Sequence, residues 1–202
     1  MRRLLLGLTL SALAAPALHA QHVVPAFGFP TGASVTSLEA GGIRVDTTSA
    51  SFVFIPDSIP APEDGFYRYY VTITPGAGLC KVLGNGDMYE SDSTGAKLRA
   101  ALETVRTALE SRYGAGERID YLQDGSHLTA PDQWMMSVNA GERAFGEIWP
   151  ADSNATLSPG VQSLLLRVNA VSADAGYLSL SYAGSNFPRC VTEIRPQSHS
   201  GP

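Results

Sequence analysis

The sequence predicts an α+β domain: antiparallel strands, two main helices packed on one side, and one disulfide. Three observations carry that reading. Short strand-like runs recur between Pro- and Gly-rich turns, one stretch keeps a sustained helical period, and only two cysteines occur in 202 residues. Runs of strands with segregated helices suit an α+β arrangement, and the frequent short turns argue against a doubly wound parallel sheet.

The chain opens MRRLLLGLTLSALAAPALHA. Two arginines, an apolar run from Leu4 to Ala15 and a small-residue end follow the three-part plan of an export signal peptide. The run is shorter than the roughly 20 apolar residues that span a bilayer, and no later segment is long and greasy enough to do so. Cleavage after Ala20 is favoured over Ala17. The expected organisation is a signal at 1–20, a single domain at 21–194 and a disordered tail at 195–202, in a periplasmic or secreted protein. Removing Arg2 and Arg3 takes the formal charge from −5 to −7. That acidic balance, with no cluster of Lys and Arg, argues against nucleic acid or an anionic membrane as partner.

The elements follow in order. ASVTSLEAGG suits a short helix, with Thr36 and Glu39 in capping-box spacing and Gly41-Gly42 as its stop. Short strands are expected at GIRVDT and SFVFIP, and the loop PDSIPAPEDG carries three prolines. FYRYYVTIT is the strongest strand, built of aromatic and β-branched residues. Its alternation puts Tyr67, Tyr69, Val71 and Ile73 on one face and Phe66, Arg68, Tyr70 and Thr72 on the other. LCKVLG reads as a shorter strand ended by a turn at GNGD. In TGAKLRAALETVRTALESRY, Leu98, Leu102, Val105, Leu109 and Tyr113 form one apolar helical stripe. Arg99 with Glu103 and Arg106 with Glu110 stand four apart on its solvent side.

In DQWMMSVNAGERAFGEIW, Asp132 can cap a helix from about Gln133. Trp134, Met135 and Met136 are expected in the core, and Glu142 and Arg143 are expected to pair locally. A strand follows at AFGEIWP, with Trp149 partly exposed at its end. QSLLLRVNAVS and YLSLSY form an antiparallel hairpin with Leu178, Leu180 and Tyr182 inward. FVFIP with the strands after it echoes FGEIWP with LLLRVNAV and YLSLSY, as in a loosely duplicated helix-plus-sheet unit.

The chemistry narrows by exclusion. Of four histidines, only His127 lies inside the expected fold. No HExxH or paired-histidine spacing is present, so neither a metal nor another cofactor is expected. GNGD lacks both the lysine of a phosphate loop and the carboxylate series of a calcium loop. A small hydrolase using His127 with Asp124 or Asp132 is an alternative, although no GxSxG elbow presents a serine. Cys80 and Cys190, an even pair in an oxidising compartment, are most simply a disulfide closing a long loop.

GLCKVLGNG, DQWMMSVNAGERAFGEIW and GYLSLSYAGSNFPRC resemble a widespread family of small secreted proteobacterial proteins of unknown function, over about Phe27 to Ile194. The resemblance implies that Cys80 and Cys190 are paired and lends the chain no activity. FGFPTGASVTSLEAGG is similar to the openings of small envelope modules related to β-lactamase inhibitor protein, which bind proteins through helix-plus-sheet units.

The residues that stand out are Phe66, Arg68 and Tyr70, an aromatic, Arg-bearing strand face of the kind that dominates protein contacts. The competing reading is that a helix covers that face and makes it core. The expected function is a non-catalytic binding module for a protein partner in the bacterial envelope, inhibitor or accessory in kind. A carrier of a small apolar ligand is a further alternative, and it requires Trp134 or Trp149 to line a cavity.

Overall fold

A computed structural model describes residues 26–47 and 52–195. The expected signal, both cleavage positions and most of the expected tail lie outside the described residues. Those described form a seven-stranded sheet in which every neighbouring pair is antiparallel. The strands are β1 (Val53–Phe54), β2 (Phe66–Thr74), β3 (Gly78–Tyr89), β4 (Glu117–Leu122), β5 (Arg143–Pro150), β6 (Val161–Ala170) and β7 (Gly176–Gly184). Their spatial order is β1-β2-β3-β7-β6-β5-β4. Four α-helices accompany them: α1 (Val35–Ala40), α2 (Ala96–Tyr113), α3 (Trp134–Asn139) and α4 (Phe187–Ile194). The α+β reading with an antiparallel sheet and one disulfide therefore holds.

A helix followed by three strands occurs twice, as α1-β1-β2-β3 and α3-β5-β6-β7, and the two runs meet at the β3–β7 seam. This is the arrangement that a duplicated helix-plus-sheet unit would give. β4 is added outside β5 as an edge strand. α2 and α3 pack on β5, β6 and β7. Leu98, Leu102 and Leu109 of α2 meet Leu164, Leu166, Val168 and Leu180 of the sheet in one core. The N-terminal segment fills the same side: the Phe27 ring stands edge-on to Tyr69 at 5.0 Å and to Tyr182 at 4.7 Å.

Local chemistry sets the ends of α2. Gly95 adopts φ 66°, and a Cβ there would lie 2.1 Å from the Trp134 ring, so glycine is required for both conformation and space. The buried Asp92 carboxylate accepts from the Leu98 N–H at 3.1 Å, satisfying a donor in the first turn. Cys80 and Cys190 are bonded, with Cα atoms 6.5 Å apart, which ties α4 to β3.

Several elements depart from expectation for identifiable reasons. GNGD is not a turn: β3 runs on to Tyr89. Gly84 stays in the strand because its missing Cβ leaves room for the Tyr69 ring, which a side chain would meet at 2.9 Å. GIRVDT contributes only the bridge Val45–Pro56. ERIDYL forms β4, and FPRCVTEI forms α4; neither was anticipated. Trp149 is fully buried and donates its indole N–H to the Gly114 carbonyl at 2.8 Å. Met135 is core, but Met136 is 41% exposed on the outer side of a six-residue helix. Arg106 pairs with Glu110 as expected, whereas Arg99 turns back to the Gly95 and Thr94 carbonyls and lies over Trp134. Glu142 and Arg143 go separate ways, to Ser126 and to Asp120.

Candidate functional site

The anticipated trio on β2 is split by a bulge. Pairing passes from Phe66↔Gly86 to Arg68↔Asn85, so two steps on β2 oppose one on β3 and the alternation slips. The slip is held by Tyr69, whose hydroxyl donates to the Phe66 carbonyl at 2.9 Å and accepts from the Glu63 N–H at 3.0 Å. Phe66 consequently turns to the helix side and is buried. There it lines a hollow of about 350 Å³ with Ala101, Val105 and Leu178. Phe66 is thus not part of an outward face with Arg68 and Tyr70. Its place is taken by Tyr67, which is 60% exposed.

Arg68 and Tyr70 do remain together. With Tyr67, Asn85, Gly86, Met88, Val171 and Tyr177 they line an open hollow of about 460 Å³ on the sheet face opposite α2 and α3. Three of its lining residues, Tyr67, Met88 and Val171, are large apolar side chains left exposed. None of the lining residues is acidic.

Strand register extends this face across the sheet, because directly paired residues point to the same side. One row runs Tyr70–Leu83–Ser181–Leu165–Ile148, and the next runs Arg68–Asn85–Ser179–Arg167–Gly146. The helix-side rows between them carry Val71, Val82, Tyr182, Leu164 and Trp149. Among the described residues the other face is half-buried or exposed, apart from the small residues Gly86, Gly146, Ser179 and Ser181.

The two sides differ in how charge is handled. Arg44, Arg106, Arg112, Arg118, Arg143 and Arg189 each hold a carboxylate of the same chain. On the open face Arg68, Lys81 and Arg167 have no carboxylate partner among the described residues. Lys81 lies over the Phe187 ring at 5.7 Å. Burial, and then the Arg167 charge, hold its ammonium below the usual lysine value.

Glu147 had no signal in the sequence beyond one charge in an apolar strand. It lies 3% exposed under α2, with its Oε2 atom 3.1 Å from Arg118 Nε. That approach does not reach hydrogen-bond geometry. Burial pushes its carboxyl above the ordinary range, while Arg118 and Arg106 pull the other way. The group sits inside the core and opens onto neither hollow described above.

Asp124, His127 and Asp132 are exposed on the segment between β4 and α3. The Ser126 hydroxyl donates to Glu142 and accepts from the Leu128 N–H, an ordinary loop-closing arrangement. Among the described residues no group of three or more His, Cys, Asp or Glu is placed to hold one metal ion. Trp134 and Trp149 are both packed rather than lining a cavity: Trp134 meets Phe145 edge-on at 5.4 Å, and Gly116 leaves room for the Trp149 ring.

The open face offers an aromatic, cationic surface. In comparisons with known proteins the chain matches no family model, no curated relative and no solved structure, so the functional reading stands on this geometry.

Proposed function

We propose that this chain is an exported, non-catalytic binding module that takes a protein partner in the bacterial envelope, as inhibitor or accessory, on the open face of its sheet. The observation that carries the reading is an uncovered strand face where Tyr67, Arg68, Tyr70 and Tyr177 surround one hollow. Tyr and Arg bury large areas at small conformational cost, which suits them to anchor a contact. Exposed apolar groups gathered at one place also mark interaction surfaces more often than scattered ones do. Export is supported by the leader-like opening and by a disulfide, which persists in oxidising compartments. Among the described residues no helix is long and apolar enough to cross a membrane.

The test compares the chain with its Arg68→Ala/Tyr70→Ala variant, each immobilised and exposed to envelope extract of the producing bacterium. The variant should keep its fold by circular dichroism and lose the protein that the parent retains. Equal retention by both would reject this face.

A further inference from the structure

We infer that the partner segment seated on the open face is acidic: a polypeptide stretch bearing carboxylates beside apolar side chains, laid across β2, β3, β7 and β6. This rests on the reading of that face as a protein-binding surface and adds the chemistry of what it takes.

The charge distribution points there. The chain carries 19 acidic against 14 basic residues, and elsewhere Arg44, Arg106, Arg112, Arg118, Arg143 and Arg189 hold carboxylates while Arg99 turns to backbone carbonyls. Among the described residues Arg68 and Arg167 are exposed without such a partner, and they share one cross-strand row, separated by Asn85 and Ser179. Three inter-strand steps put their backbones about 14 Å apart. Lys81 lies on the same face, four residues along β3 from Asn85, close enough for Arg167 to disfavour its charge. Among the described residues, the carboxylate whose register places it on this side, Glu117, pairs with Ile148 at the far edge strand. Uncompensated like charges repel one another and attract the opposite sign from solution. A partner carboxylate near each arginine removes that repulsion and forms a charge-assisted hydrogen bond.

A polypeptide fits better than a bare polyanion. Tyr67, Tyr70, Met88 and Val171 beside Arg68 offer apolar contact that a hydrated polyanion would leave unused.

The experiment is a selection of random displayed peptides on the folded, disulfide-bonded chain, followed by affinity measurement of recovered peptides. Enrichment in Asp and Glu beside apolar residues is expected, with binding to the Arg68→Glu/Arg167→Glu variant weaker by about tenfold or more. Binding should also weaken as ionic strength rises from about 0.1 M to about 1 M, where the screening length falls to about 3 Å. Recovery of neutral or basic peptides, or of acidic peptides that bind the charge-reversed variant equally well, overturns the inference. So does attachment to phosphatidylglycerol vesicles that no recovered peptide displaces. The underlying reading fails separately: peptides of any composition would then bind a Tyr67→Ala/Tyr70→Ala variant undiminished.

Discussion

The two faces of the sheet are built from the same strands, one residue out of step, and they have opposite characters. The covered face presents Val71, Val82, Leu164, Leu166, Leu180 and Trp149, all essentially inaccessible to solvent. Charge enters that side at Glu147, which lies 3.1 Å from Arg118 without a hydrogen bond, and at Asp92, whose carboxylate takes the Leu98 N–H. The open face presents serines, tyrosines, half-buried Leu83 and Leu165, and three cations without carboxylates. Apolar burial is therefore concentrated on one side.

Cutting into the covered face should do the most damage. Trp149→Ala removes the largest fully buried side chain and its hydrogen bond to Gly114, and should cost about 3–5 kcal/mol in urea unfolding. A loss below about 1 kcal/mol would mean that the core is not where the register puts it. Removing the crosslink comes next. Cys80→Ala/Cys190→Ala frees a loop with a sequence separation of 110 and should cost about 2–5 kcal/mol. A thiol titration of the parent should find no free sulfhydryl.

Glu147→Gln should have a smaller effect, one that depends on pH. Burial raises this carboxyl above its ordinary 4.5, so the folded chain binds its proton more tightly than the unfolded chain does. The resulting stability is fully present below the unfolded value and is lost as pH rises through the raised folded one. The Gln variant cannot ionise, so its stability should fall less than the parent's across that window, as read from urea midpoints at a series of pH values. Parallel profiles would show that Arg118 neutralises the carboxylate completely. The smallest effect belongs to the open face. Arg68→Ala/Tyr70→Ala/Arg167→Ala should change unfolding stability by no more than about 0.5 kcal/mol per site, and a loss of several kcal/mol would make that face structural.

Much of the covered face was legible in the sequence. The stripe of Leu98, Leu102 and Leu109 on α2 and the alternation of Leu178, Leu180 and Tyr182 on β7 follow directly from the 3.6 and 2.0 residue periods. Cysteine number alone pointed to the bond between Cys80 and Cys190. The site was legible only in part, because its composition depends on a bulge. Phe66 obeys the alternation of an unbroken strand until Tyr69 reaches back to bind its carbonyl, and that bond is tertiary information. Gly84 and Gly86 read as turn residues because their use, close approach of Tyr69 and of the Gly65 carbonyl, needs the neighbouring strand to be seen. β4 escaped notice because an exposed edge strand such as ERIDYL has little buried residue to mark it. Lys81 and Arg167 are ordinary solvated charges in the sequence; only the register sets them beside Arg68.

If the open face is the side that meets another protein, a crosslinker placed there should capture it. The direct measurement places a photo-reactive benzoylphenylalanine at Tyr70, or at exposed Ala108 on α2, and illuminates cells of the producing bacterium. A discrete protein adduct from position 70 and none from position 108 is the expected result. Adducts from 108 alone, or the same adducts from both positions, would contradict it.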